Sequence, residues 1–83
     1  MKYKYYKGRD FDKSINDDDF IPASSIFVRV FDATANPGME VVYSPIGQHG
    51  EASIEYINEC IEITKKEYLN ISSGNYTPAD YLK

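Results

Sequence analysis

The fold is decided by residues Ser25 to Ser44, which read SIFVRVFDATANPGMEVVYS. Two runs of β-branched and aromatic residues, 26–31 and 41–43, lie at its ends, and such side chains favour a pleated sheet. Between them, Asn36-Pro37-Gly38 combines a proline that fixes φ with a glycine that is free to take positive φ, which is typical of a turn. The stretch therefore predicts a β-hairpin at the centre of a small sheet.

The first strand of this hairpin is apolar on both faces. Side chains alternate between the two sides of a strand, so Ile26, Val28 and Val30 share one face while Phe27, Arg29 and Phe31 share the other. A strand of this kind is usually interior to its sheet or covered on both sides. We expect helices to cover one face and a partner to cover the other; the alternative is a sheet that curls on itself.

The amino terminus alternates lysine and tyrosine, in the order Lys2, Tyr3, Lys4, Tyr5, before Tyr6. A period of two, with tyrosines on one face and lysines on the other, predicts a short strand. Lysine on an edge strand discourages pairing with other chains. We therefore expect an edge strand over residues 2–6 whose lysines protect the edge; a patch that contacts phosphate is the alternative.

An acidic segment runs from Asp10 to Asp19. Oxygen-bearing side chains stand at every second position, as in a calcium-binding loop; they are Asp10, Asp12, Ser14, Asn16 and Asp18. A calcium loop of the EF-hand type also needs glycine at its sixth position and a bidentate glutamate at its twelfth, where this chain has Ile15 and Ile21. The segment is therefore more typical of a solvated loop, and no metal site is predicted.

Three consecutive carboxylates, Asp17, Asp18 and Asp19, end this segment. We expect the lysines of the first strand to neutralise them in part. The same three residues are candidates for contact with a basic surface on a partner protein.

The chain's only histidine lies in Gly47-Gln48-His49-Gly50. Glycines on both sides allow a tight bend that exposes Gln48 and His49. A histidine can act as a general base or bind a metal, but no cysteine cluster or recognised serine or aspartate spacing accompanies this one. We expect a structural or surface histidine, and Gln48 and His49 as candidate protein-contact residues.

The remainder of the chain predicts short helices. Its periodicity and turn residues favour a helix over about 53 to 60, an extended link through Ile63, and a second helix over about 65 to 72 that begins at a capping box and ends near Gly74. Thr77 as N-cap followed by proline predicts one more helical turn. We expect Tyr76, Tyr81 and Leu82 to pack that turn against the preceding helix.

Composition restricts the function classes. The 83 residues carry a formal net charge of −4, which argues against nucleic-acid binding because that requires clustered Lys and Arg. Cys60 is the single cysteine and cannot form an internal disulfide, so a reducing cytoplasm is expected. The amino terminus does not fit a signal peptide, and no run approaches the roughly 20 apolar residues of a membrane helix. We expect one cytoplasmic domain over residues 1–83, without nucleic-acid or membrane partners.

Residues 42–52, which read VYSPIGQHGEA, are followed by Tyr56 and by Thr64-Lys-Lys-Glu-Tyr68. This pattern, which covers about a third of the chain, resembles small uncharacterised bacterial proteins. In them an aromatic residue precedes Gly-Gln-His-(Gly/Ser)-x-Ala, and a Thr-x-x-Glu-Tyr helix start follows. The family carries no established activity, so the resemblance assigns no catalytic role to Gln48 or His49, and it implies a bacterial, intracellular protein. This chain departs from the family in lacking a final strand after the capped helix.

Together these features predict an α+β fold, an antiparallel sheet of three or four strands with short C-terminal helices packed on one face. The predicted function is non-enzymatic protein binding, of the regulator, immunity-factor or mobile-element inhibitor type, without a cofactor. Tyrosine is enriched at protein interfaces, which favours this interpretation. The alternatives are a homodimer that buries the central hairpin, and a small enzyme that uses His49 with helical carboxylates.

Overall fold

The computed structural model describes residues 3–83 and contains one antiparallel sheet of five strands. The strands are β1 (Tyr3–Lys7), β2 (Ile26–Val30), β3 (Met39–Ser44), β4 (Gln48–Ser53) and β5 (Ile61–Ile63). Neighbouring strands follow the order β4-β3-β2-β1-β5. The sheet has more strands than the three or four predicted, because β4 and β5 both extend it.

Within residues 3–83 three α-helices accompany the sheet, and their bounds are α1 (Phe11–Ser14), α2 (Ile54–Glu59) and α3 (Lys65–Ser72). The same part of the chain has two 3-10 turns, at Pro22–Ser25 and Ala79–Leu82. The fold is therefore α+β, as predicted.

The predicted central hairpin is confirmed. β2 is the middle strand of the sheet and pairs with β3, with Val28 opposite Tyr43. At the predicted turn the Met39 N–H donates to the carbonyl oxygen of Asn36 at 2.9 Å, and Gly38 has a φ of 78°. The connection between the strands is longer than this turn, because β2 ends at Val30 and Phe31 lies outside it.

The prediction of an edge strand at the amino terminus is wrong. β1 lies between β2 and β5, with Tyr5 opposite Val28 on one side and opposite Ile63 on the other. The extended link predicted through Ile63 is a strand that occupies the position where an edge was expected. Lys2 lies outside the described residues.

Two apolar clusters cover opposite faces of the sheet, because successive residues of a strand point to opposite sides. The face covered by α3, here called the α3 face, buries Tyr5, Val28 and Tyr43 against Tyr68. The opposite face, here called the α2 face, buries Tyr6 and Phe27 against Ile57. The helices therefore do not share one face, in contrast to the prediction. The two apolar faces of β2 are therefore covered by α2 and α3 of the same chain.

The two predicted helices are confirmed as α2 and α3, and each begins at a capping side chain. The Ser53 hydroxyl accepts the Tyr56 N–H at 3.0 Å, and the Thr64 hydroxyl accepts the Glu67 N–H at 3.1 Å. These contacts satisfy backbone donors that have no partner within the first helical turn. Beyond α3, Gly74 has a φ of 82°, as expected for a residue that ends a helix.

The C-terminal turn differs in detail from the prediction. Pro78, not Thr77, is its N-cap, and the Thr77 hydroxyl lies 2.8 Å from that of Tyr68. Tyr81 and Leu82 pack against the core of the α3 face, whereas Tyr76 is 74% exposed. The C-terminal segment thus packs on the sheet as well as beside α3.

Candidate protein-contact surface

β4 is an outer strand, so one side of it has no neighbouring strand among residues 3–83. In an antiparallel pair, hydrogen bonds join residues that stand directly opposite, at alternate positions along the strand. The Ile54 N–H donates to the carbonyl oxygen of Gly38 at 3.0 Å, and this pair continues the register in which Ser53 is opposite Met39. The even-numbered residues of β4 therefore bond to β3. The N–H and C=O groups of His49 and Glu51 point outward, as does the N–H of Ser53, whose carbonyl belongs to the first turn of α2 because Ser53 is the N-cap of that helix.

His49 belongs to an aromatic cluster on the α3 face. It stands opposite Tyr43, with ring centroids 5.0 Å apart in an edge-to-face arrangement. Its Nε2 lies 2.7 Å from the hydroxyl oxygen of Tyr81, whose ring centroid is 5.6 Å away. Burial raises the pKa of both the Tyr43 and the Tyr81 hydroxyl above its ordinary value, so both remain protonated at neutral pH. His49 is therefore held in place by its neighbours while its ring remains exposed.

A groove of about 240 Å³ lies beside the start of β4. Its lining residues are Tyr43, Gln48, His49, Tyr76 and Pro78. The Tyr43 hydroxyl donates to the carbonyl oxygen of Tyr76 at 2.8 Å, which ties the C-terminal segment to the sheet at this point. The open strand edge and an aromatic groove are thus adjacent.

The predicted bend around Gln48 and His49 takes a different form. Gln48 itself has a φ of 63°, whereas neither Gly47 nor Gly50 has a positive φ. His49 lies within β4 and not at the tip of the bend, which is formed by the turn before Gln48. Both predicted side chains are exposed, as expected.

Glu51 is the outward-pointing position of β4 nearest to its middle. Its side chain is exposed, and its Oε1 accepts a hydrogen bond of 3.0 Å from Nδ2 of Asn36 in the loop between β2 and β3. Gly50 beside it has open space around the position of an added Cβ atom. The middle of β4 therefore offers backbone groups with little side-chain obstruction.

The acidic triplet Asp17, Asp18 and Asp19 is exposed at a different place. Its loop is fixed by the rings of Phe11 and Phe20, whose centroids are 5.4 Å apart edge-to-face. The Phe20 N–H also donates to the carbonyl oxygen of Asp17 at 3.1 Å. No hydrogen bond or ion pair among residues 3–83 joins the triplet to Gln48 or His49, so the predicted contact residues form two separate groups.

The predicted neutralisation of this triplet by the first strand is not seen within residues 3–83. Lys7 pairs with Asp12 at 3.0 Å, and its Nζ lies 5.4 Å from the ring centroid of Phe11. Lys4 pairs with Glu62 at 3.7 Å. The lysine charges of β1 are thus directed to other carboxylates.

Across residues 3–83, no three His, Cys, Asp or Glu side chains come together as a metal site would require. The partner of the His49 ring is the Tyr81 hydroxyl, and no described hydrogen bond joins this ring to a carboxylate. None of the helices in the described part of the chain is long and apolar enough to cross a membrane.

Sequence reasoning missed the C-terminal half of the groove. Tyr81 is 32 residues from His49 along the chain, and Pro78 and Tyr76 reach the groove through the same segment. The abundance of tyrosine near the C-terminus was a signal for packing, but it did not identify β4 as the surface that receives these rings.

The comparisons with known proteins identify no relative. No family model, no curated protein and no solved structure matches this chain.

Proposed function

We propose that this chain is a small non-enzymatic protein-binding module whose contact surface is the open edge of β4. The observation that carries the proposal is the row of outward backbone groups on β4, which are the N–H and C=O of His49 and Glu51 and the N–H of Ser53. An extended segment that adds to a sheet edge satisfies such groups by main-chain hydrogen bonds, which is a recurrent mode of protein recognition.

The side chains of β4 support this assignment. Native edge strands are commonly protected by lysine, proline, a bulge or a covering element. β4 reads Gln-His-Gly-Glu-Ala-Ser and contains neither lysine nor proline. It is also polar enough to avoid indiscriminate aggregation, since Gln48, His49, Glu51 and Ser53 give it four polar side chains in six residues. A specific strand can therefore pair with it.

The adjoining groove supplies a source of specificity. A strand added beside β4 passes His49, whose ring lines the groove with Tyr43 and Tyr76. Main-chain pairing is insensitive to sequence, whereas a groove lined by aromatic rings selects an apolar or aromatic side chain. The edge would provide affinity and the groove would provide selection.

The other outer strand is a poorer candidate. A larger depression of about 340 Å³ lies beside β5, and Lys4 and Lys65 line it. These cations already have partners, since Lys4 pairs with Glu62 and the Lys65 ammonium donates to the carbonyl oxygen of Leu82 at 2.9 Å. We therefore place partner binding at β4.

The acidic triplet Asp17, Asp18 and Asp19 is a second proposed contact, for a partner with a basic surface. What supports it is that the loop is exposed and fixed by Phe11 and Phe20, so little ordering cost opposes binding. A partner engaged in this way would be sensitive to salt, as exposed ion pairs are screened. A regulator, immunity factor or inhibitor acting in the bacterial cytoplasm fits either contact.

The proposal is tested by capturing partners from the native host with tagged protein at physiological and at high salt. Three variants are compared with the unchanged chain: Glu51→Pro, which removes one outward N–H, Glu51→Ala, which removes only the side chain, and Asp17→Asn/Asp18→Asn/Asp19→Asn. Binding at the edge predicts a stoichiometric partner that is lost with the proline variant and is weakened much less with the alanine variant, which keeps the outward backbone groups.

The salt series separates the two contacts. A partner held by the acidic triplet should be released at high salt and by the triple asparagine variant, but not by Glu51→Pro. A stoichiometric partner that is indifferent to all three variants would contradict both proposed contacts.

A further inference from the structure

We propose that the strand that pairs with the β4 edge is β4 of a second copy of this chain, antiparallel, with the two-fold axis at Gly50. The inference rests on the proposed function, because it uses the same open edge, and it names the occupant. In this dimer the two five-stranded sheets join into one continuous sheet, and each copy contributes the same surface.

Hydrogen-bond geometry limits the possible registers. Only His49, Glu51 and Ser53 direct backbone groups outward, so these odd-numbered residues must stand opposite odd-numbered residues of the second copy. A two-fold axis must then pass through a residue and not between two residues. Within the middle of β4 the axis can pass through His49, Gly50 or Glu51.

Charge selects among these registers. An axis at Glu51 places the two Glu51 carboxylates directly opposite each other, which is destabilising in a sheet. An axis at His49 places two imidazoles opposite each other and Glu51 opposite Gly47, beyond the end of the strand. An axis at Gly50 places His49 of each copy opposite Glu51 of the other, a complementary pair that occurs twice.

The hydrogen bonds already made by His49 agree with this pairing. In the tautomer whose Nε2 accepts the Tyr81 hydroxyl proton, Nδ1 carries the other proton and remains a free donor. Glu51 uses Oε1 toward Asn36, and its second carboxylate oxygen can accept that proton. Both side chains can therefore keep their present partners in the dimer.

Apolar side chains at the two ends of β4 fit the same register. Ile46 precedes the strand and is 49% exposed, and Ile54 follows it and is 37% exposed. Extending the register about Gly50 brings Ile46 of one copy toward Ile54 of the other. Two exposed isoleucines per chain thus gain a partner.

The register is tested by disulfide trapping in a Cys60→Ser background, since Cys60 is the chain's only native cysteine. At a pair of residues that do not bond to each other, the opposed Cα atoms of antiparallel strands lie about 4.5 Å apart, within the range that a disulfide spans. Under mild oxidation, Gly50→Cys should form a covalent dimer rapidly. Glu51→Cys and Ala52→Cys are the matched controls, and they should cross-link at least about tenfold more slowly, because neither faces its own copy in this register.

Charge variants test the same geometry without a covalent bond. His49→Glu places like charges opposite Glu51 twice and should weaken dimerisation about tenfold in sedimentation equilibrium. Adding Glu51→Lys to the His49→Glu variant should restore dimerisation, because each new lysine then faces a glutamate of the other copy. Circular dichroism of each variant monitors the fold.

Three results would overturn the inference: a monomer at every accessible concentration of the unchanged chain, fastest cross-linking at Glu51→Cys, or failure of the double variant to recover. The proposed function is decided by a different result. A monomeric chain that still captures a different protein through an edge sensitive to Glu51→Pro keeps the protein-binding module and removes only the second copy as its occupant.

Discussion

The two outer strands of the sheet differ in how much backbone they leave open. β5 has three residues. The Gly8 N–H donates to the carbonyl oxygen of Ser25, and this pair continues the register of β1 and β2. The even-numbered residues of β1 therefore form their hydrogen bonds with β2. The odd positions of β1 then bond to β5, so Glu62 alone points outward. β4 has six residues and directs three outward.

The difference follows from what adjoins each strand. β5 is confined between α2 and α3, and its single outward residue pairs its side chain with Lys4. α2 follows β4 directly, whereas a turn and no helix precedes it. In this chain the spacing of helix starts therefore decides which sheet edge is long enough to receive another strand.

The largest expected effect concerns α3, the helix that covers one face of the sheet. Tyr68 of α3 is 0% exposed, its ring centroid is 5.3 Å from that of Tyr5, and its hydroxyl bonds to Thr77. Tyr68→Ala should lower the free energy of unfolding by about 4 kcal/mol, which approaches the total stability of a domain of this size. Urea unfolding measures the loss. Tyr76→Ala is the control, and a comparable loss there would show that the α3 face is not the main core.

Proline at neighbouring positions of β4 tests the alternation directly. Ala52→Pro removes an N–H that bonds to β3 and should cost about 3 kcal/mol. Glu51→Pro removes an outward N–H and should cost less than about 1 kcal/mol, as proline is tolerated where an edge faces solvent. Chemical denaturation of both variants measures the difference; equal losses would mean that the open edge has been assigned to the wrong residues.

The caps that begin the helices next to β4 and β5 should contribute equally. Ser53→Ala and Thr64→Ala each remove one side-chain acceptor and should cost about 1 kcal/mol in thermal unfolding. Thr64→Ser keeps the acceptor and should recover most of the loss. Unequal costs would indicate that α2 and α3 depend on their caps to different degrees.

The smallest effect is expected at the groove beside β4. Tyr81→Phe removes the hydroxyl that bonds to His49 but keeps the ring against Tyr43. Because the bond is partly exposed, the variant should lose no more than about 1 kcal/mol of stability. Tyr76→Phe, whose ring is largely exposed, should lose nothing measurable. A loss well above this at Tyr81 would mean that the groove is a structural core and not an available surface.

Several of these features could be predicted because their causes are local. The turn at Asn36-Pro37-Gly38, the cap at Thr64 and the helix that follows it each depend on residues within three or four positions. The apolar faces of β2 also predicted a central strand, since alternation alone requires cover on both sides.

The candidate site was predictable only in part. Gln48 and His49 could be predicted as exposed because glycines flank the pair, and both are exposed. The groove needs Tyr76 and Pro78, which no local pattern connects to β4. The acidic triplet was correctly expected on an exposed loop, but its separation from His49 could not be read from charge alone.

By itself, the sequence determined the turns, the caps, the helix periods and the double-sided apolarity of β2, because these depend on near neighbours and on the two-residue repeat of a strand. Only the tertiary structure decided that β1 is interior and β4 is open. β1 is interior because Ile63, which is far from Tyr5 along the chain, pairs with it in the sheet. The β propensity of a short segment does not show whether that segment stays a solvated link or pairs as an outer strand.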